Sequence, residues 1–153
     1  MLFRRRSRAV ILVFVTVSVF NACRSNIPPA DNPKYKEIEN LWKTIPVYTG
    51  FNEVKTETPS TVAEAEIIKE YESNAGFAEV EQFYQGRLPS SGWAQVDERS
   101  IKDRGRIRGE RILVFQKENY WLTIEFAGTR RAELGWNFAV RLATPKDWDD
   151  RVL

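Results

Sequence analysis

The residue types that could carry chemistry in this sequence are carboxylates, arginines and one cysteine, Cys23, because the 153 residues include no histidine. Without histidine, Ser-His-Asp catalysis, Cys-His catalysis and histidine-bearing zinc sites are excluded, and a lone cysteine cannot form a disulfide within the chain. A general acid and base would have to come from carboxylates, lysine or tyrosine. Four glutamates alternate along one predicted strand, where neighbours two residues apart are separated by about 6.5 Å, close to the carboxylate spacing of glycosidases. These are Glu64, Glu66, Glu70 and Glu72.

Alternating charge is also typical of the solvated face of any strand, and this is the interpretation we favour for the four glutamates. Near the C-terminus, Asp147, Asp149 and Asp150 lack the glycine and the distal glutamate of a calcium-binding loop. The sequence contains no phosphate-binding, dinucleotide-binding or nucleophile-elbow motif. We therefore predict no catalytic residue, no metal site and no cofactor, and a protein that is not an enzyme.

The most basic part of the chain is the segment 99–111, which has a net charge of +4 and contains two glycines, Gly105 and Gly109. Its basic residues recur at every second position, so an extended hairpin arm is expected to present four of them on one side. The glycines favour a flexible loop or a bulged ribbon. Three interpretations stay open: a solvated loop, a contact with anionic headgroups, and a contact with an acidic protein or glycan. The four residues are Lys102, Arg104, Arg106 and Arg108.

The overall charge of +2 comes from the N-terminal leader. Of the 23 basic residues, four lie within Met1–Arg8, which has no acidic residue, and the other 19 are outnumbered by 21 acidic residues. The apolar run Ala9–Phe20 follows directly. This order is that of an export signal, and the run is shorter than the roughly 20 apolar residues that span a bilayer. A permanent transmembrane helix is the second interpretation.

The segment Val19-Phe20-Asn21-Ala22-Cys23 resembles a bacterial lipobox, which it matches at Ala22 and Cys23 and from which it departs at Phe20 and Asn21. The resemblance implies that diacylglycerol is attached to Cys23 and that the mature chain begins there. Two or three acyl chains hold a protein firmly at a membrane. We therefore expect an exported lipoprotein whose domain faces the periplasm or the exterior; Arg24 after the cysteine favours the outer membrane where there is one. The two alternatives to a lipoprotein are an uncleaved transmembrane anchor and conventional secretion.

The expected organisation has four parts. Residues 1–22 form a lipoprotein-type signal peptide, and residues 23–33 hold the lipidated cysteine and a proline-rich tether, which reaches about 30 Å in a polyproline conformation. Residues 34–145 form one domain, and 146–153 form a polar tail. An exported address argues against nucleic acid as a partner.

Hydrophobic periodicity predicts the elements of the domain. Tyr35, Ile38, Leu41 and Trp42 recur at helical spacing behind an Asn32 cap, and Phe77 to Leu88 is the clearest helix. Strands are expected at 51–58 and 63–73, and an antiparallel meander follows Gly92, with Ile112–Phe115 as a central strand. The predicted class is α+β: an antiparallel sheet of five or six strands with one main amphipathic helix packed on one face and a short N-terminal helix.

Trp121 lies on the polar side of its predicted strand, opposite the apolar set Tyr120, Leu122, Ile124 and Phe126. Exposed tryptophan on a sheet often serves in glycan or peptide binding. The alternative, which we favour, is that the helix from Tyr35 to Trp42 folds over this face and buries Trp121.

A wider pattern is similar to one common in small uncharacterised bacterial lipoproteins. It comprises Ile45-Pro46-Val47-Tyr48-Thr49-Gly50, then Glu79 to Tyr84, Leu88 and Gly92-Trp93. The resemblance covers about half of the mature chain and implies a fold and an envelope address, but no activity or ligand.

Three functions are compatible with these features. The leading hypothesis is a lipid-anchored, non-enzymatic envelope protein that contacts another envelope component or the membrane surface through the sheet's outer face or the basic arm. The alternative is a binding module for a glycan or a small amphiphile, with Trp121 in its site. A hydrolase that uses carboxylates is third.

Overall fold

The structure, a computed structural model, describes residues 28–61, 64–103 and 106–144, without the side chains of residues 101–108 and 129. The expected signal peptide, Cys23, most of the tether, Arg104 and the C-terminal tail lie outside this part of the chain. Among the helices it describes, none has the length and hydropathy needed to cross a membrane.

The described residues form three α-helices and six strands. The helices are α1 (Pro33–Trp42), α2 (Phe77–Arg87) and α3 (Arg131–Leu134). The strands are β1 (Asn52–Glu57), β2 (Glu66–Glu72), β3 (Ala94–Asp103), β4 (Arg106–Lys117), β5 (Tyr120–Phe126) and β6 (Phe138–Ala143). Single turns of 3-10 helix occur at Pro29–Asp31, Pro89–Ser91 and Gly128–Arg130.

The six strands form one sheet in the order β1-β2-β6-β5-β4-β3, with every neighbouring pair antiparallel. The predicted α+β class is confirmed. Register pairs Leu122 with Leu142 and Ile124 with Val140, so the alternation of apolar residues along β5 and β6 faces one core. We call this side the inner face and the side that bears Trp121 and Thr123 the outer face. The expected central strand is also confirmed, because β4 lies between β3 and β5 and is buried on both faces from Ile112 to Phe115.

Helix α2 covers the inner face. Val80, Tyr84 and Leu88 recur every four residues along it and are fully buried in the core cluster with Leu113 and Phe115. A residue spaced by four returns to the same side of a helix, so the sequence period translates directly into this packing. After the helix, Gly92 adopts a left-handed φ of 82° and leads the chain into β3, with Trp93 buried beside the core.

Helix α1 packs on the same inner face, so the expectation that it buries Trp121 is wrong. Ile38 is fully buried in the same core cluster as Leu122, and Lys69 lies over the Trp42 ring at 5.8 Å. The physical reason is that α2 covers only part of a six-stranded face, and the apolar stripe of α1 completes that cover. Trp121 instead packs against Ile112 and Val114 on the outer face.

Asn32 fastens the start of the domain. Its side-chain oxygen accepts from the Lys34 backbone N–H and caps α1, with Pro33 as the first helical residue. Its amide nitrogen donates to Ser60 Oγ at 2.7 Å and to the Thr61 carbonyl oxygen at 2.8 Å. The side chain is 2% exposed. The ordered structure thus includes Pro29 to Asn32, which the sequence analysis placed in the tether.

The sheet has two distinct ends. Glu66, Tyr120 and Ala143 lie at the end next to Asn32, which we call the Asn32 end. Glu72, Arg111 and Phe126 lie at the other end, which we call the hairpin end, because the β3–β4 hairpin continues there past the last residue of β5. The twelve residues of β4 span about 36 Å at 3.3 Å each, so the hairpin tip is far from Asn32.

The hairpin is a bulged ribbon, one of the two forms expected for the basic segment. Its register shifts between Ser100 and Lys102, and Gly109 has a φ of 83°. Position 102 pairs with 107 and position 103 with 106, so positions 102 and 106 fall on opposite faces of the ribbon. The expectation of one shared basic side is therefore wrong for this pair, because counting by two preserves a face only within one strand and the chain reverses between them.

Replacing Asn32 with alanine should lower the free energy of unfolding by about 1–3 kcal/mol, because the change removes a helix cap and the buried hydrogen bond to Ser60 Oγ. The matched control is Asn40→Ala on the exposed side of α1, expected to change stability by less than about 0.5 kcal/mol. Urea denaturation measures both. Equal midpoints for the two variants would contradict the role of Asn32.

Candidate functional site

Six aromatic rings form a continuous row at the hairpin end, between α2 and the sheet. Consecutive ring centroids are 5.0 to 5.8 Å apart, the range of favourable aromatic contacts. In order, the rings are Phe83, Tyr48, Phe51, Phe138, Phe126 and Phe77. Phe138 is fully buried, whereas the other five are half-buried and pack on the edge of the core. We call these six residues the aromatic row.

Four parts of the fold supply the row. Tyr48 and Phe51 lie in the loop before β1, Phe77 and Phe83 in α2, and Phe126 and Phe138 in adjacent positions of β5 and β6. A Cβ atom on Gly50 would lie 2.6 Å from Tyr48 Cε1, so glycine allows the Tyr48 ring to fold back over the loop. This gives a structural reason for the spacing of Tyr48 and Gly50 in the lipoprotein-like pattern.

An arginine lies over each end of the row. Arg111 Cζ is 4.8 Å from the centroid of the Phe77 ring, and Arg87 Cζ is 5.1 Å from that of Phe83. Both distances are within the range of a cation–π interaction. The row is therefore apolar along its length and cationic at its two ends.

The carboxylates beside the row are already engaged. The Tyr48 hydroxyl donates to Glu79, and this hydrogen bond raises the pKa of Tyr48. Glu98 forms an ion pair with Arg111. Neither arrangement resembles an acid and base poised over a cleft.

On the outer face, the glutamates of β2 are not a uniformly solvated row. Glu66 is 6% exposed and forms an ion pair with Arg141, whereas Glu72 is exposed and pairs with Arg131. The expectation of a wet strand face is wrong for Glu66. A carboxylate bound to a guanidinium is not available as a nucleophile or base, so the structure gives the hydrolase hypothesis no pair of free carboxylates on β2.

Two further carboxylates lie on the outer face, Glu110 buried and Glu125 half-buried. Glu110 is 2% exposed, its carboxylate forms an ion pair with Arg130 at 3.7 Å, and neither of its oxygens has a hydrogen-bond partner in the described structure. Burial raises the pKa of Glu125, while Arg141 and Arg130 oppose that shift. The segment Gly128–Leu134 packs over this part of β4 and brings Arg130 to it. These charges belong to the packing of the outer face.

The residues singled out in the sequence do not form one site. Trp121 is half-buried at the Asn32 end, opposite Gln116 and Ala143 in the register. Lys102, Arg106 and Arg108 occupy strand positions in the hairpin at the other end, and their side chains, like Arg104 and Cys23, lie outside the described part of the structure. Their roles in contacts and lipidation stay predictions.

Sequence reasoning missed the aromatic row. Its six members lie between Tyr48 and Phe138 without a common spacing, so periodicity assigns each one separately to a core face. The only local signal was the pair Tyr48 and Phe51 around Gly50, where two aromatic residues flank a turn.

A Glu125→Gln substitution should flatten the dependence of stability on pH. Because the pKa of Glu125 is raised in the folded state, its favourable contribution is complete below the ordinary glutamate pKa of about 4.3 and is lost as the pH rises through the folded pKa. Between pH 4 and 7, the free energy of unfolding should therefore fall less in Glu125→Gln than in the wild type. Glu39→Gln, on the exposed side of α1, is the control. Parallel profiles for wild type and Glu125→Gln would contradict this account.

Comparison with known families gives one match. The family model described as START domain-like matches residues 52–133, from the start of β1 into α3 and over more than half of the chain. No curated protein and no solved structure matches the chain. START-like domains are typically non-enzymatic and bind ligands. The matched region holds Phe77, Phe83 and Phe126 of the aromatic row. The chain belongs to the START domain-like family.

Proposed function

We propose that this protein is a non-enzymatic binding domain for a small amphiphile, which it holds along the aromatic row, on a lipoprotein anchored in the bacterial envelope through Cys23. The observation that carries the proposal is the row itself: six aromatic rings in continuous contact, five of them half-buried, in a domain of a ligand-binding family.

The physical basis is apolar surface that the fold does not cover. Each methylene group that an alkyl chain removes from water contributes about 0.8 kcal/mol. Rings already fixed by contacts with one another lose little side-chain freedom when a ligand binds, so little of that gain is offset by ordering. A hydrocarbon chain or a flat ring system suits such a surface better than a sugar, which needs many hydrogen-bonding groups.

The position of the row relative to the tether supports a binding role away from the anchoring membrane. The tether enters at the Asn32 end, and Cys23 and Pro28 are only five positions apart, about 15 Å in an extended conformation. The row lies at the hairpin end, at the other end of the strands. A lipid on Cys23 would therefore place the aromatic row on the side of the domain that is far from the bilayer holding the lipid.

A second candidate function is contact with another envelope component through the basic hairpin. The observation that favours it is that β3 and β4 continue to pair as far as Asp103 and Arg106, past the end of β5 opposite Arg111. The segment 99–111, which includes this ribbon, has a net charge of +4 and suits an acidic protein or an anionic glycan. In this case the aromatic row would serve only as the rim of the core.

Photoaffinity labelling in native envelope membranes tests the first function. An alkyl probe with a photoreactive group in its chain should label the wild-type protein, and Phe83→Ser should lower the labelled fraction at least fivefold. Val96→Ser, an exposed apolar side chain on the far edge strand β3, is the control and should label like wild type. Equal labelling of both variants would contradict the row as the ligand site and leave the hairpin as the candidate contact.

Metabolic labelling with a palmitate analogue tests the anchor. Cys23→Ser should abolish incorporation of the label and leave the unprocessed chain to accumulate, because the Cys23 thiol is the group to which the expected diacylglycerol is attached. Ser25→Ala, two residues away, should be labelled and processed normally. Normal processing of Cys23→Ser would show that the chain is exported by another route.

A further inference from the structure

We infer that the amphiphile bound at the aromatic row carries an anionic headgroup, and that Arg111 binds this headgroup while Arg87 sets the charge at the opposite end of the row. The inference rests on the proposed function, and it adds the chemical class of the ligand and the residues that select it.

Arg111 has an unused donor. Its Nη2 pairs with Glu98 and its Cζ lies 4.8 Å from the Phe77 ring centroid, yet its Nε is shielded from solvent and has no hydrogen-bond partner in the described structure. A buried donor without an acceptor costs about 1–3 kcal/mol. An oxygen of a ligand headgroup at the Phe77 end of the row would supply that acceptor.

The guanidinium geometry favours an oxyanion in particular. A planar arginine fork can keep one edge on Glu98 and offer Nε to a second carboxylate or phosphate oxygen, and hydrogen bonds between charged groups are about twice as strong as neutral ones. A quaternary ammonium headgroup would be repelled at this place.

The other charged residues around the aromatic row also favour an anionic ligand. Arg111 lies opposite Phe126, the last residue of β5, and from Arg111 towards the hairpin tip β4 pairs only with β3. The Phe77 end of the row therefore lies beside the segment 99–111, which has a net charge of +4. Beside the row, the Glu79 carboxylate accepts from Tyr48 and the Glu98 carboxylate pairs with Arg111. At the other end, Arg87 lies 5.1 Å from Phe83 on the exposed side of α2.

The experiment compares three photoreactive probes that share one alkyl chain and differ only in the headgroup: a carboxylate, a trimethylammonium and an uncharged glucoside. The full-length protein is held in nanodiscs of zwitterionic lipid, so that the bilayer contributes no net charge. The carboxylate probe should reach half-maximal labelling at a concentration about tenfold lower than the other two, which corresponds to one charge-assisted hydrogen bond of about 1.4 kcal/mol.

Arg111→Gln should remove the preference for the carboxylate probe and leave labelling by the glucoside unchanged. Arg87→Gln should also weaken the preference for the carboxylate probe. Arg131→Gln is the matched control, because Arg131 also forms an exposed ion pair, with Glu72. If Arg111→Gln does not fold, the Arg87→Gln series decides. Equal labelling by the three probes would overturn the anionic headgroup and leave the binding function intact, whereas no labelling by any probe would overturn both.

Discussion

The packing of α1 and α2 against one face of the sheet is the constraint on which the other features depend. Val80, Tyr84 and Leu88 are fully buried there, and each such side chain contributes about 1.5–3 kcal/mol. Because both helices lie on the inner face, their side chains fill it from the Asn32 end to the start of α2. What is left uncovered is the rim at the hairpin end, and this rim is where the aromatic rings collect.

The outer face is organised by charge. Arginines from β6 and from the segment Gly128–Leu134 meet the glutamates of β2 and β4, as in the pairs Arg141–Glu66 and Arg130–Glu110. The cost of desolvating Glu125 shows in its raised pKa. The two faces therefore differ in kind: one excludes water with hydrocarbon, and the other holds buried charges in mutual contact. The proposed site for an apolar ligand lies on the first.

Much of the fold could be predicted because the hydrophobic periodicity of short segments identifies its helices and strands. The four-residue recurrence of Val80, Tyr84 and Leu88 and the alternation of Leu122, Ile124 and Phe126 each identify an element and its buried side. Periods cannot show which layer covers which face, so α1 was assigned to the wrong side of the sheet. They also cannot show contacts between distant elements. Tyr48 and Phe138 belong to one row only because the strand order places β6 between β2 and β5.

The central claim is that the rim of the core at the hairpin end is a binding surface. Solution NMR of the Cys23→Ser chain, titrated with a short-chain alkyl carboxylate, tests it most directly through the aromatic resonances. We predict shifts concentrated on Tyr48, Phe51, Phe77, Phe83 and Phe126, with Trp121 at the Asn32 end unaffected. Shifts centred on Trp121 and the outer face, or no saturable shift at any ring, would contradict the account.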